Sequence, residues 1–322
     1  MTKLKLNINL SRSSKNLLST FSGLFILCIV FTVLSEYFFS VKNLLTVATQ
    51  TAVIAIIAIG QTYVLITGGI DLSIGSNIAL SAVIAGFCMK LSPDPSFSLV
   101  LIAVLAGQFT GALAGAINGT LITFGRIPPF IATLGTMTVV RGVALTLTKG
   151  LPVSGLPRKF TVLGTGSTLG IPNPVIVMVL LVVLFGFILA KTKLGRHIYA
   201  VGSNFEAARL SGVNTKKTII AVYVFSGILA ASAGLIVAAR IISAHPAAGD
   251  GYELDAVASS VIGGTSTMGG EGMVAGTFIG AFVIGVLRNG LNLIGVSPFI
   301  QKIVIGIVIV GSVFFDRIKR KD

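Results

Sequence analysis

The groups able to do chemistry in this chain are few, and most stand inside or beside apolar segments. Arg141 lies well within an apolar and hydroxyl-bearing run, PPFIATLGTMTVVRGVALTLT. A guanidinium at the centre of a membrane helix costs about 2.5–3.5 kcal/mol on insertion scales, so it must face protein or water. It either pairs structurally, with a carboxylate as the natural partner, or meets a ligand. Asp71 stands in GGIDLSIG at the start of another apolar run. It can accept hydrogen bonds from a ligand or cap the helix that follows. Asp250, Glu253 and Asp255 form an acidic strip in AAGDGYELDA. That strip suits contact with an external protein, or pairing with Arg240. Ser73, Thr265 and Ser266 place hydroxyls in two Gly-rich interruptions of the apolar pattern. With Asp71 and Arg141 they are the candidate lining of a path through the protein.

The densest set of charges is elsewhere. Residues 191–217, KTKLGRHIYAVGSNFEAARLSGVNTKK, carry six Lys/Arg and a single acid, Glu206. Within them, Glu206-Ala207-Ala208-Arg209-Leu210-Ser211-Gly212 reads as a short helix with no apolar face to bury in lipid. Such a helix suits docking to a soluble partner.

Enzyme chemistry finds no foothold. The chain has no G-x-x-x-x-G-K-[ST] to cradle phosphates, no HExxH, no CxxC and no nucleophile elbow. His197 and His245 stand alone in loops without metal-ligand spacing. There is no row of intramembrane carboxylates to relay protons. If this protein moves a solute uphill, the energy comes from another polypeptide.

The elements that hold these groups follow from hydropathy. Of 322 residues, 54% are hydrophobic and 11% charged, and the mean hydropathy is +0.97. A soluble domain cannot bury that much apolar surface, so the chain reads as an all-α polytopic membrane protein. Clear spans lie near 17–34, 47–66, 70–89, 99–123, 174–190, 218–242 and 300–315. Gly-interrupted ones lie near 130–148, 255–270 and 273–293. The expected count is about ten. The span region is 17–315, with tails at 1–16 and 316–322. The first span lacks a small-x-small cleavage site and reads as a retained helix.

The net charge of +14 has a distribution that argues against nucleic acid. Fifteen of the 24 Lys/Arg fall at the N-terminus, at Arg126, in 191–217 and at the C-terminus. That is the positive-inside pattern: both termini and the 191–217 loop are expected in the cytoplasm, and 148–173 outside. Cys28 and Cys88 lie in apolar spans and read as packing residues.

Residues 107–131 align without gaps to 276–300, matching Gly107/Gly276, Gly111/Gly280, Pro129/Pro298 and Phe130/Phe299. The two segments fall five spans apart, hence in opposite directions. A five-plus-five inverted repeat predicts this, and such repeats build transport pathways; shared membrane-helix composition is the plainer source. Gly107, Gly111, Gly115 and Gly119 recur every four residues and let another helix approach closely. The breaks at 68–75 and 263–272 are either cavity walls or turns at the membrane surface, because broken backbone at membrane depth must be buried or line water.

Several of these runs resemble the permease subunits of bacterial ABC sugar importers of the ribose type: GQTYVLITGGIDLSIGS (60–76), PPFIATLGTMTVVRG (128–142), KTKLGRHIYAVGSNFEAARLSG (191–212), AGDGYELDAVASSVIGGTSTMGGEG (248–272) and NGLNLIGVSPFIQ (289–301). The resemblance covers most of the chain. It implies a homodimeric or heterodimeric pore in the bacterial inner membrane, formed with a second permease copy or a related permease chain. It implies a cytoplasmic ATPase with tandem nucleotide-binding domains, which would carry ATP and Mg, and no cofactor on this chain. It also implies an extracytoplasmic sugar-binding protein, for which Asp250, Glu253 and Asp255 are the candidate contacts. The segment from Glu206 to Gly212 is similar to the helix by which such permeases couple to the ATPase. Ribose is the default sugar, with xylose, galactosides, other pentoses and a sugar-like autoinducer also open. A transporter working alone and a membrane enzyme are the competing readings.

Overall fold

The structure is a computed structural model and describes residues 12–319 of the chain. Residues 1–11 and 320–322, which belong to the two expected tails, lie outside the described residues. Helices run into the remainder of both tails: α1 begins at Arg12 and the last helix reaches Lys319.

Among the described residues, seven helices are long and apolar enough to cross a membrane. They are α1 (Arg12–Leu34), α2 (Val41–Ile66), α4 (Phe97–Thr123), α5 (Pro129–Thr148), α7 (Asn173–Lys191), α10 (Thr215–Ile241) and α12 (Val274–Leu293). Their starts follow local chemistry. Ser40, Ser96 and Asn214 cap α2, α4 and α10 by accepting from the backbone N–H of Asn43, Leu99 and Lys217. Proline opens α5 and α7, where its missing N–H costs nothing.

Of the three remaining expected spans, two are shorter: α3 (Ile74–Met89) has 16 residues and α11 (Tyr252–Ile262) has 11, whereas α13 (Pro298–Lys319) has 22. At 1.5 Å per residue α11 reaches only about 16 Å, roughly half a hydrocarbon core. The Gly-interrupted span expected near 255–270 is helical only in its first part. The helix stops at Ile262, and Gly264, Gly269 and Gly270, all at positive φ, turn the chain back toward α12.

Helices α2 and α10 form the centre. Both are apolar on every side and buried along most of their length, as a helix enclosed by other helices must be. The glycine stripe of α4 faces α10. A methyl added at Gly111 or Gly115 would overlap the carbonyl oxygens of Gly227 and Tyr223, and one at Gly119 would lie 2.7 Å from the Ile220 Cα. Helix α12 repeats the device. Its Gly276 and Gly280 lie against the carbonyls of Gly263 and Ser259 around the end of α11. Some neighbours correspond: α4 packs on α3 and α10, and α12 packs on α11 and α2, while α12 also packs on α1 and α7.

The 148–173 segment is more ordered than a polar loop. Its strand β1 (Val153–Ser154) pairs antiparallel with β4 (Ser243–Ala244), and β2 (Ser167–Thr168) pairs with β3 (Ile171–Pro172). Between them α6 (Arg158–Thr165) presses Gly164 onto the backbone of Arg240 at the end of α10.

Candidate functional site

The basic segment 191–217 folds as two helices. Thr192 caps α8 (Lys193–Ser203), its Oγ1 accepting from Gly195 N at 3.2 Å. Gly195, Ile198 and Val201 are buried on one face of α8. Asn204 caps α9 (Phe205–Leu210) through Ala207 N at 2.9 Å, and Gly212 closes the turn at φ 83°. On α9 only Ala208 is buried. Arg209 donates through Nε and Nη2 to Glu206 Oε2 at 2.9 and 2.8 Å. Leu210 stands 77% exposed and Phe205 44% exposed beside this pair, so α9 presents an ion pair flanked by apolar side chains. Ser211 follows as the C-terminal cap of α9.

Helix α8 connects that surface to the helix breaks. Tyr199 donates its hydroxyl to Gly272 O at 2.7 Å. Gly202 leaves no room for a side chain above Ile66 O, and Gly270 N donates to the same carbonyl at 2.8 Å. The end of α2, the 263–272 turns and α8 thus meet at one point. Thr265 and Ser266 lie within those turns, both buried. Ser266 Oγ accepts from Met268 N at 3.1 Å, and Thr265 Oγ1 has no hydrogen-bond partner.

Asp71 is fully buried at the other break. Its Oδ1 accepts from Ser73 N at 2.9 Å and Ser73 Oγ at 2.6 Å, and its Oδ2 accepts from Ser226 Oγ on α10 at 2.7 Å. Asn118 on α4 donates to Ser73 Oγ at 2.9 Å, and Thr133 on α5 donates to Ile70 O at 3.1 Å. The carboxylate therefore ties an irregular segment to the surrounding helices. Three donors on one buried carboxylate supply much of what water would have given it.

The acidic strip divides. Asp250 is exposed, Glu253 is half-buried against Gly75 at the start of α3, and Asp255 is 1% exposed. Burial pushes the Glu253 carboxyl above the usual carboxylate range and neighbouring Asp250 adds to it, while backbone N–H groups and Arg141 act the other way. Arg288 Nη2 on α12 donates to both Asp255 oxygens, at 2.8 and 2.7 Å. Arg240 is not the partner.

Residues 43–313 match the family described as branched-chain amino acid transport system / permease component. The chain belongs to this permease family. It is 46% identical over 304 residues to the ribose import permease protein of Bacillus subtilis (strain 168), covering 94% of this chain and 93% of that one. It is 44% identical over 302 residues to the ribose import permease protein of Escherichia coli (strain K12), with 92% of each covered. It is 37% identical over 303 residues to the D-allose transport system permease protein of the same strain, 94% and 92% covered. No solved structure matches the chain.

In this permease Arg141 differs from the pairing expected of it. Its Nη1 donates to two carbonyls, Pro246 O at 2.7 Å and Ala248 O at 2.8 Å, rather than forming an ion pair with a carboxylate. It clamps the 245–251 turn that leads into α11. Arg141→Met should leave both carbonyls without that donor and cost about 1–3 kcal/mol, the penalty for unmet buried polar groups. Faster hydrogen exchange at 245–251, with the rest of the permease unchanged, is the expected reading; unchanged exchange there would refute the clamp. The residues that sequence reasoning missed are Ser226, Asn118, Tyr199 and Arg288. Only Arg288 carried a usable signal, a lone cation in the apolar run FVIGVLRNGL.

Proposed function

We propose that this permease is the membrane subunit of an ATP-driven ABC importer that brings a monosaccharide, ribose or a similar sugar, across the bacterial cytoplasmic membrane. Its chain carries no ATPase motif. A cytoplasmic ATPase with tandem nucleotide-binding domains supplies the energy, an extracytoplasmic binding protein delivers the sugar, and a second permease copy completes the pore. The chain crosses the membrane about ten times as a five-plus-five inverted repeat, with both termini and α8–α9 in the cytoplasm. The matched neighbours of α4 and α12 support that repeat: α2–α5 correspond in order to α10–α13. The similarity to ribose and allose permeases supports the substrate class.

One observation carries the mechanism. The exposed α9 follows α8 after the single extended residue Asn204, and α8 touches both the end of α2 and the 263–272 turns. ATP-driven movement of the partner at α9 is passed to these breaks, which open the path alternately to either side. Rigid elements meeting at glycine backbones transmit displacement because close-packed contacts leave no slack to absorb it.

Reconstitution tests this reading. The permease, its ATPase and its binding protein in proteoliposomes should take up D-ribose only with ATP inside the compartment that holds the ATPase. Uptake by the permease alone would transfer the function to an autonomous transporter.

A further inference from the structure

We propose that a cavity between α11, α12 and the first turns of α13 is a transit site for a hydroxyl-rich monosaccharide on the permease itself. The proposal rests on the sugar-import reading above and deepens it. The cavity holds about 430 Å³ and is lined by Asp250, Glu253, Asp255, Arg288, Gln301 and Lys302, with an apolar wall from α13. That volume lies within the roughly 300–1,000 Å³ of small-molecule sites, which set a few placed polar groups among apolar ones.

The lining fits sugar hydroxyls for a reason of chemistry. Each hydroxyl both donates and accepts, so a polyol needs donors and acceptors interleaved. Here the acceptors are the Asp250 and Glu253 carboxylates, and the donors are Arg288 and Lys302. Arg288 engages Asp255 through Nη2 alone and keeps about a third of its side chain exposed. Lys302 and Asp250 are exposed side chains of that lining. The Asp255–Arg288 pair balances itself, and the Asp250 and Glu253 carboxylates are offset by Lys302 in the lining and by the nearby Arg141 charge, so the site has little net charge to draw an ion. Donors and acceptors of both signs around a small cavity point to a neutral polar ligand. A site on a path must also release what it binds, which fits a small contact set with no enclosing lid.

Protection from alkylation tests it. The full-length chain, with Cys28 and Cys88 replaced by alanine, carries Leu254→Cys at the cavity, where Leu254 is 53% exposed. In nanodiscs a maleimide should label it. At D-ribose concentrations about four times Kd, labelling should slow about fivefold, because only one site in five stays empty. D-Allose and L-arabinose serve as further probes. Adding Lys302→Met, an exposed position, should remove the protection without changing labelling in the absence of sugar. Protection that survives Lys302→Met, no protection by any of the three sugars, or a cysteine inert before sugar is added would each overturn the site. Uptake by the assembled importer is measured in parallel. Uptake without protection refutes the cavity alone, whereas absence of sugar uptake by the complete system refutes the import reading.

Discussion

Glu206→Lys combined with Arg209→Glu should reduce ATP-driven sugar uptake to background while the permease remains inserted and folded. The two residues form an ion pair three positions apart on α9, and the exchange keeps a pair at the same spacing. Exposed helical pairs contribute only about 0.2–0.5 kcal/mol to local stability. Reversal also opposes the helix dipole, at a cost of about 0.3–1 kcal/mol per charge. Neither figure threatens a chain of thirteen described helices, since α9 buries only Ala208. Docking responds differently. A partner whose charges complement Glu206 and Arg209 would meet like charges at both positions, and such juxtapositions cost several kcal/mol. Each 1.4 kcal/mol is a factor of ten in affinity, so loss of the ATPase at working concentrations follows. The measurement is co-purification of the ATPase together with vesicle uptake. A variant with both residues changed to glutamine separates loss of the pair from reversal and should retain partial uptake. Wild-type uptake by the reversed variant would sink the docking role of α9.

Much of this architecture is readable from sequence because lipid imposes strict rules. Spans such as 99–123 and 218–242 match α4 and α10 to within a few residues, since only an apolar helix of that length satisfies its backbone in hydrocarbon. The four-residue glycine spacing of α4 likewise fixes a close helix crossing. Legibility fails where protein replaces lipid as the surroundings. In 191–217 the buried face of α8 consists only of Gly195, Ile198 and Val201 among basic residues, too sparse to stand out from a polar loop. The Gly-rich break at 263–272 is readable, and α11 ends just before it at Ile262, but the packing of those turns against α2 and α8 is not. The partners of Asp71 and Arg141 are set by folding: a serine 155 positions from Asp71 and two loop carbonyls. No local pattern encodes those meetings. The overlap of Gly202 with Ile66 O is of the same kind, a close approach between segments far apart in sequence.

The second large effect is expected at Arg288. Asp255 is 1% exposed, and its two oxygens share one donor nitrogen of Arg288 at 2.8 and 2.7 Å. Arg288→Met removes the compensating charge and leaves a carboxylate enclosed by α11 and α12. Breaking one side of a buried pair typically costs about 3–5 kcal/mol, because the remaining charge has neither water nor partner. The permease should fall in abundance and unfold at lower temperature in detergent. Removing both charges is milder: Asp255→Asn with Arg288→Met leaves no buried charge and should recover most of the lost stability. Coupling between the two sites should then reach about 0.5–3 kcal/mol, the range for residues in direct contact. Additive effects, or an Arg288→Met permease as stable as wild type, would show that water reaches Asp255 and that the pair does not hold α11 to α12. The distinction bears on transport because α11 is too short to cross the membrane alone. Its N-terminal end is fixed by Arg288 and the Arg141-held turn, and its C-terminal end runs into the turns packed on α8. With the N-terminal end anchored, the proposed movement from α9 would displace the C-terminal end of α11. Loosening the pair would therefore weaken transmission as well as stability, and uptake per folded molecule should fall even at temperatures where Arg288→Met remains intact.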